Sequence, residues 1–449
     1  MKHFLLLKIN IMDRYTLGSN YILRQNSKNT FELFDTIKSM KYNISMEFFY
    51  LLKLFKYNVI KKNDAYDYFT NNNIPINVDK FENNLRKEAF SDLLVKSEIP
   101  HTLDSVFPQL NNFPSFVDNT PSRVDLIITE RCNLTCKHCF QNSSPIRDSE
   151  FPPLEKLITL CDELEQLNVL SLKISGGEPL IYPQIEPFFE YLTNKKMQKS
   201  ILSNAILLND RIIDIIKGHH FRFGISLDGS TKELHEFLRG KNTFDRTMGN
   251  IQKLKDAKVY FSISTTLHSN NYHDISNICE LVFNKLEASV LNVNIMMPLG
   301  RGDNEFLIPR KELKKLKEHI AELSELYPGK SIDIADANDL LPYDTSSDII
   351  YCNGGTNYLA VNSLLNVYPC TYAFGHEEFK MGTIGEEKLI DIWKKDKWNV
   401  FRGDTKLQDL KTCPTCTFKN KCANKNCRLK PIYQGLDFYS PISFCTLNS

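Results

Sequence analysis

Six short apolar runs between residues 124 and 297 constrain this chain more than any other feature. They are VDLIITE (124–130), SLKIS (171–175), SILSN (200–204), RFGISLD (222–228), YFSISTTL (260–267) and LNVNIMM (291–297). Between them lie segments with apolar residues three and four apart, such as LEKLITLCDELEQL (154–167) and RTMGNIQKLKDA (246–257), which is the period of a helix. A further helix is expected from Pro309 to about Leu326. Strands of this kind, each followed by a helix of ordinary length, pair in parallel under helical cover. No dinucleotide fingerprint is present, so the spacing predicts an α/β chain with a partial (β/α)6 TIM-like barrel rather than a doubly wound nucleotide fold.

At 449 residues the chain is too long for one simple core. Residues 1–110, without cysteine and rich in Asn, Lys, Phe and Tyr, are expected to form a small N-terminal α+β domain. Residues 111–335 hold the barrel, and residues 336–449 form an irregular region rich in Cys, Asn and Gly. A net charge of +1 with no concentrated basic stripe argues against nucleic acid as a partner. No run reaches the roughly 18 apolar residues of a membrane span. The first residues, MKHFLLLKINIMDRY, read as a strand rather than a signal peptide, so a cytoplasmic location is expected.

The cysteines are unevenly placed. Cys132, Cys136 and Cys139 follow the first strand directly, at the end of a parallel barrel where active sites are built. Seven more come late: Cys352, Cys370, Cys413, Cys416, Cys422, Cys427 and Cys445. A disulfide framework belongs mostly to small secreted domains, so metal or iron–sulfur ligation is the better expectation. Three thiolates leave one iron of a four-iron cube open to a further ligand. Zinc held by the three cysteines and His138 is the alternative. Cys161 and Cys279 fall in amphipathic helices, as small buried hydrophobes do.

CxxxCxxC after the first strand and GGEP after the second together resemble the radical S-adenosylmethionine (radical SAM) superfamily. The resemblance implies that Cys132, Cys136 and Cys139 bind a [4Fe–4S] cluster whose open iron chelates the methionine part of the cofactor. One electron then yields a 5′-deoxyadenosyl radical that abstracts hydrogen from substrate. It implies cofactor contacts at Phe140, against the adenine, and at Gly176, Gly177, Glu178 and Pro179, for the methionyl amine. Ser203 and Asn204 stand where the family ends its third strand, with Ser-Asn-Ala in place of the usual Thr-Asn-Gly. Ser226 and Asp228 match ribose and carboxylate contacts. Asp228-Gly229 also reads as a turn, and Ser-Asn as a helix cap.

The late cysteines, CNGG at 352, YPC at 370 and the dense CPTCTFKNKCANKNC, resemble the SPASM extension of peptide-modifying radical SAM enzymes. That implies two auxiliary [4Fe–4S] clusters, three clusters in all. Cys352, Cys370 and Cys427 would hold cluster I, and Cys413, Cys416, Cys422 and Cys445 cluster II. Cluster I then has an open iron, a water or a ligand other than cysteine. Two departures stand out. Leu365 replaces the glycine usual five positions before the second cysteine, and four residues rather than three separate Cys422 from Cys427. Thr371 stands where sulfatase-maturating relatives carry a catalytic Asp, which lowers that alternative. Tyr368 and Tyr372 are expected to pack near cluster I, or to face substrate.

In the N-terminal region a strand and hairpin, MKHFLLLKIN…YILRQN, precede the expected helices TFELFDTIKSM and SMEFFYLLKLF. This is similar to the winged-helix-like leader-recognition module of ribosomal-peptide maturases, which adds the leader as a strand to a sheet edge. A structural cap is the plainer reading. The chain is therefore expected to be a radical SAM enzyme that forms a thioether or another crosslink in a ribosomally synthesised precursor peptide. Its electron donor would be a flavodoxin or ferredoxin. The alternatives are a sulfatase-maturating or small-metabolite enzyme, and a non-catalytic iron–sulfur peptide binder. No catalytic base is legible; His268, Asn270 and Arg301 lie near strand ends and could line the cavity.

Overall fold

All six apolar runs are strands, side by side and parallel. The computed structural model describes residues 121–335, 347–420, 422 and 424–441, and in the N-terminal part 14–18, 21–27, 30–38, 40–57, 60–62, 65–66, 77–85, 87, 90, 93–96 and 117–120. The chain divides into two units, residues 1–120 and 121–449.

In the first unit β1 (Arg14–Leu17), β2 (Tyr21–Ser27), β3 (Thr30–Asp35) and β4 (Met40–Ile44) precede helix α1 (Met46–Tyr57). β2, β3 and β4 form an antiparallel sheet in that order. TFELFDTIKSM is thus a strand, a turn and the start of another strand, not the expected helix. Its residues Phe31 and Leu33 alternate onto the core in register with Gln25 and Leu23 of β2, and that pairing overrides a pattern that also suits a helix turn. The aromatic run in α1 is core: Phe48, Phe49, Leu51, Leu52 and Phe55 are buried, against Phe81 and Phe90 among others. The expected strand over residues 1–10 lies outside the described residues.

In the second unit the parallel strands are β7 (Arg123–Thr129), β8 (Ser171–Gly176), β9 (Gln198–Ser203), β10 (Phe221–Ser226), β11 (Tyr260–Leu267), β12 (Val290–Ile295) and β13 (Ser331–Ala335), with β5 (Ile60–Lys61) and β6 (Leu94–Lys96) belonging to the first unit. Helices at Leu154–Gln166, Ile185–Thr193, Asp210–Ile216, Lys232–Arg239, Phe244–Asp256 and Arg310–Leu326 punctuate them. Burial alternates along β8, β9, β11 and β12. Leu172, Ile174, Ile201, Ile263, Leu291 and Val293 are fully covered, while their neighbours are half-open, so helices pack on one face and a cavity occupies the other. This is the mixed α/β partial barrel that the sequence suggests.

The cysteine-rich region shares that sheet. Its strand Tyr358–Val361 pairs in parallel with β7, and Asn366–Tyr368 and Gly382–Thr383 continue antiparallel to give ten strands. Two departures from the family pattern keep the backbone shape of the residue they replace. Ala205 and Leu365 have φ of 60° and 62°, the left-handed region where glycine is favoured.

Candidate active site

The loop carrying the first three cysteines leaves β7 and returns beside it, with Cys132 N–H donating to Ser144 O. Cys132, Cys136 and Cys139 line one cavity of about 240 Å³ with Phe140, Gly176, Gly177, Ser203, Asn204, Ser226, Arg239 and Arg301. Gly176 and Gly177 are there because the two strand ends touch. A Cβ would lie 2.1 Å from Thr129 O at the first, where φ is +138°, and 2.0 Å from Arg131 O at the second.

Glu178, Pro179 and Asp228 do not line the cavity. Glu178 is fully buried behind it, and its carboxylate accepts from Leu180 N (3.1 Å), Ser203 Oγ (2.8 Å) and Asn204 N (2.8 Å). Burial pushes its carboxyl above the usual range, against the pull of those donors. Its observed work is to hold the end of β9 to the GGEP turn. Asp228 is likewise buried. Its Oδ2 accepts from Arg239 Nε at 2.5 Å and its Oδ1 from Thr266 N at 2.8 Å. Burial opposes its ionisation, but Arg239 outweighs it with help from His138, His235 and Thr266, and the carboxyl lies below its usual range. Arg239, which local sequence does not single out, is therefore the cation the cavity receives, with Asp228 as its support.

Arg301 is the second cation, and it grips the cysteine loop. Its Nε donates to Cys136 O (2.9 Å), its Nη2 to Ser143 O (2.7 Å) and its backbone N–H to Cys139 O (3.0 Å). Gly300 precedes it with φ +61°, where a Cβ would lie 2.3 Å from Phe140 O. His268 is buried and stacked on Phe237, and neither it nor Asn270 lines the cavity.

The site fits an iron–sulfur cluster and a polar cofactor better than zinc. The three cysteines are free thiols, and burial pushes Cys132 up to about 12, with Cys136 and Cys139 adding to the effect. Among the described residues no three His, Cys, Asp or Glu side chains converge as ligands of one ion. His138 turns its Nε2 toward Arg239 (3.4 Å) and Asp228 (3.8 Å) rather than completing a tetrahedron with the thiols. Three residues that line the cavity bring buried polar atoms without a partner: Gln141 Oε1, Ser143 Oγ and His138 Nδ1. Such atoms suit a site built for a polar guest.

In the tail Cys370 lies close enough to Cys352 and Cys427 for each to raise its pKa further, after burial as the main cause. The three residues expected at cluster I thus lie within electrostatic reach of one another. Arg428 is buried, donates to Phe438 O (3.3 Å) and Ser440 O (3.1 Å), and feels Cys413, Cys427, Cys352 and Cys422. Lys425 and Lys430 on either side are buried too. Thiolate-ligated clusters carry negative charge, which suits buried cations beside these cysteines. Cys445 lies outside the described residues. Tyr368 packs on Phe374 in the core, and Cys161 and Cys279 are fully buried.

Residues 126–282 match the radical SAM superfamily model and residues 352–422 the SPASM iron–sulfur cluster-binding domain. The chain belongs to the radical SAM superfamily. It is an enzyme of that superfamily with a SPASM domain, and S-adenosylmethionine and iron–sulfur clusters are its cofactors. The AdoMet-dependent heme synthase of Methanosarcina barkeri is 27% identical over 350 residues, 73% of this chain and 97% of that protein. The antilisterial bacteriocin subtilosin biosynthesis protein AlbA of Bacillus subtilis is 26% identical over 287 residues; the match spans 63% of this chain and 60% of that protein. In fold, the chain is similar to Streptococcus suis SuiB bound to precursor peptide SuiA, with a TM-score of 0.77 and 16% identity, covering 96% of this chain and 100% of that one. No helix among the described residues is long and apolar enough to cross a membrane.

Proposed function

We propose that this radical SAM enzyme matures a ribosomally synthesised precursor peptide, forming a thioether or another crosslink with the help of three [4Fe–4S] clusters. The observation that carries it is the match of residues 352–422 to an iron–sulfur cluster-binding domain, which holds Cys352 and Cys370 with Cys427 just beyond it, in addition to the three cysteines that line the cavity. Cleaving the cofactor needs only the cavity set. The second serves a further step, taking up the surplus electron or holding a substrate sulfur. The name of AlbA, a bacteriocin biosynthesis protein, supports a peptide substrate. So does the N-terminal β2–β3–β4 sheet, a small antiparallel sheet of the kind to which a leader segment can add as a strand.

Bound in the cavity, a cluster and S-adenosylmethionine would supply one-electron chemistry toward a substrate carbon–hydrogen bond. Cys132, Cys136 and Cys139 would hold the cluster. Arg239, paired with Asp228, would meet the cofactor carboxylate. Gly176 and Gly177 would let the backbone approach the amine, Glu178 fixes Ser203 and Asn204 in place, and Ser226 and Phe140 would face the ribose and the adenine. Cys413, Cys416, Cys422 and Cys445 would hold the remaining cluster, with a flavodoxin or ferredoxin as electron donor.

Anaerobically reconstituted protein should hold about twelve irons, falling to about eight when Cys132, Cys136 and Cys139 are replaced. With S-adenosylmethionine, reductant and a short peptide encoded beside its gene, it should release 5′-deoxyadenosine and remove two hydrogens from the peptide. A peptide left unchanged while cofactor is cleaved would refute the substrate. A second reading, tetrapyrrole chemistry, is favoured by the near-complete coverage of the heme synthase; conversion of a haem precursor in place of the peptide would establish it.

A further inference from the structure

Three aromatic rings meet where the cysteine loop touches the tail. Phe140, one residue after Cys139, forms part of the cavity wall. Tyr372, two residues after Cys370, and Tyr433, six after Cys427, are its neighbours, with ring centroids 6.0 Å from Phe140 in each case and 5.6 Å from each other. The Tyr433 hydroxyl donates to the carbonyl oxygen of Phe140, across 293 residues of sequence. Tyr433 ends the short helix Leu429–Tyr433, which begins two residues after Cys427. Tyr372 lies in the turn Thr371–Ala373 that opens at Cys370.

The loop's other outward carbonyls, at Cys136, Cys139 and Ser143, are taken by Arg301 from the barrel. Among these four, the Phe140 carbonyl is the one held from the tail. Each tyrosine is tied by a few residues of chain to a thiol of the Cys352, Cys370 and Cys427 set. Drawing those thiols together around a cluster fixes where the two segments run. It thereby fixes the rings and the hydroxyl that set Phe140, and edge-on contacts of this kind prefer a defined geometry. A tail without its cluster leaves the helix start at Cys427 free to shift, and the hydroxyl with it.

We infer that Tyr433 and Tyr372 are positioning residues of the cofactor cavity, and that through them the affinity for S-adenosylmethionine depends on whether Cys352, Cys370 and Cys427 hold their cluster. The inference rests on the function proposed above. It goes beyond that function in making the two cluster sites thermodynamically linked rather than independent.

The test compares wild type, Tyr433→Phe, Cys427→Ala and the double variant, all reconstituted. It reads S-adenosylmethionine dissociation constants, iron content, and hydrogen exchange of residues 132–144 without cofactor. Tyr433→Phe keeps the ring and loses the hydroxyl. It should weaken cofactor binding roughly three- to tenfold, the size of one neutral hydrogen bond, with iron content unchanged and the melting temperature lowered by no more than that one bond accounts for. Cys427→Ala should weaken it at least as much, and the double variant no more than Cys427→Ala alone. Exchange in residues 132–144 should quicken in both single variants. Wild-type affinity in Tyr433→Phe, or losses that multiply in the double variant, would overturn the inference. If wild type binds no S-adenosylmethionine, the proposed function falls, and unchanged exchange in Tyr433→Phe would by itself overturn the Tyr433 contact.

Discussion

Asp228→Asn is the most informative single change, because it removes a charge while keeping the side-chain shape. The Asp228 side chain is fully buried and that of Arg239 is 11% exposed, with 2.5 Å between Oδ2 and Nε. Removing one partner of such a pair costs about 3–5 kcal/mol, since the other charge stays buried. The amide keeps an oxygen for the Thr266 N–H, so only the charge is lost and the lower end, about 3 kcal/mol, applies. His138 and His235, which burial pushes down to about 4, are neutral near pH 7 and neither add to nor relieve the uncompensated Arg239 charge. Urea unfolding should show a lower midpoint at an unchanged slope. Arg239→Met should be less damaging on top of Asp228→Asn than in wild type, a coupling of at least about 1 kcal/mol. The pH dependence follows from the lowered Asp228 pKa. Its stabilisation is fully present above the unfolded value of about 4 and is lost as pH falls through the lower folded value, so the variant should lack that part of the acid limb. A loss under about 1 kcal/mol, or additive effects of the two changes, would refute the buried-pair argument.

Arg301→Ala leaves the Ser143 carbonyl without its side-chain donor, about 1–3 kcal/mol, and costs less at Cys136, whose oxygen also accepts from Cys139 N; it should show as faster hydrogen exchange in residues 132–144 and fewer irons per chain, and Arg301→Lys should restore part of both. Ala205→Gly relieves a left-handed alanine and should stabilise by about 0.5–1 kcal/mol, read as a higher melting temperature. Lys199, whose ammonium donates to Lys195 O, is pushed down to about 8 by burial. The folded state therefore bears that penalty below pH about 8 and is relieved as pH rises toward about 10.4, so Lys199→Met should stabilise by about 1–2 kcal/mol at pH 7 and lose its advantage near pH 10. Arg428→Gln removes a buried cation beside the tail thiols and should make the auxiliary cluster signals harder to reduce, by about 59 mV if the equilibrium moves tenfold.

Where function depends on spacing along the chain, the sequence is sufficient. Cys132, Cys136 and Cys139 sit at fixed offsets on one loop, and GGEP follows one strand, so both are legible without a fold. The six strands are legible as well, since each carries its own apolar pattern. Glu178 and Asp228 show the limit: residue type and position suggest cofactor contacts, yet both point behind the cavity wall, where they support Ser203, Asn204 and Arg239. Local pattern also misassigned TFELFD, because the choice between a strand and a helix turn there was made by the partner strand β2.

Arg239, Tyr433 and the cation group around Cys427 have no signature in the sequence, and Arg301 is legible there only as a residue near a strand end, without the carbonyls it grips. Each acts on a group brought to it by the fold: Arg301 on carbonyls 158 and 165 residues away, Tyr433 on one 293 residues away. The sequence by itself determined which chemistry this protein carries, because ligand type and short-range spacing are written into one stretch of chain. Only the tertiary structure decided which charges face the cavity and which residues hold the cysteine loop, because burial and hydrogen-bond partners come from elements that meet only when the sheet has formed.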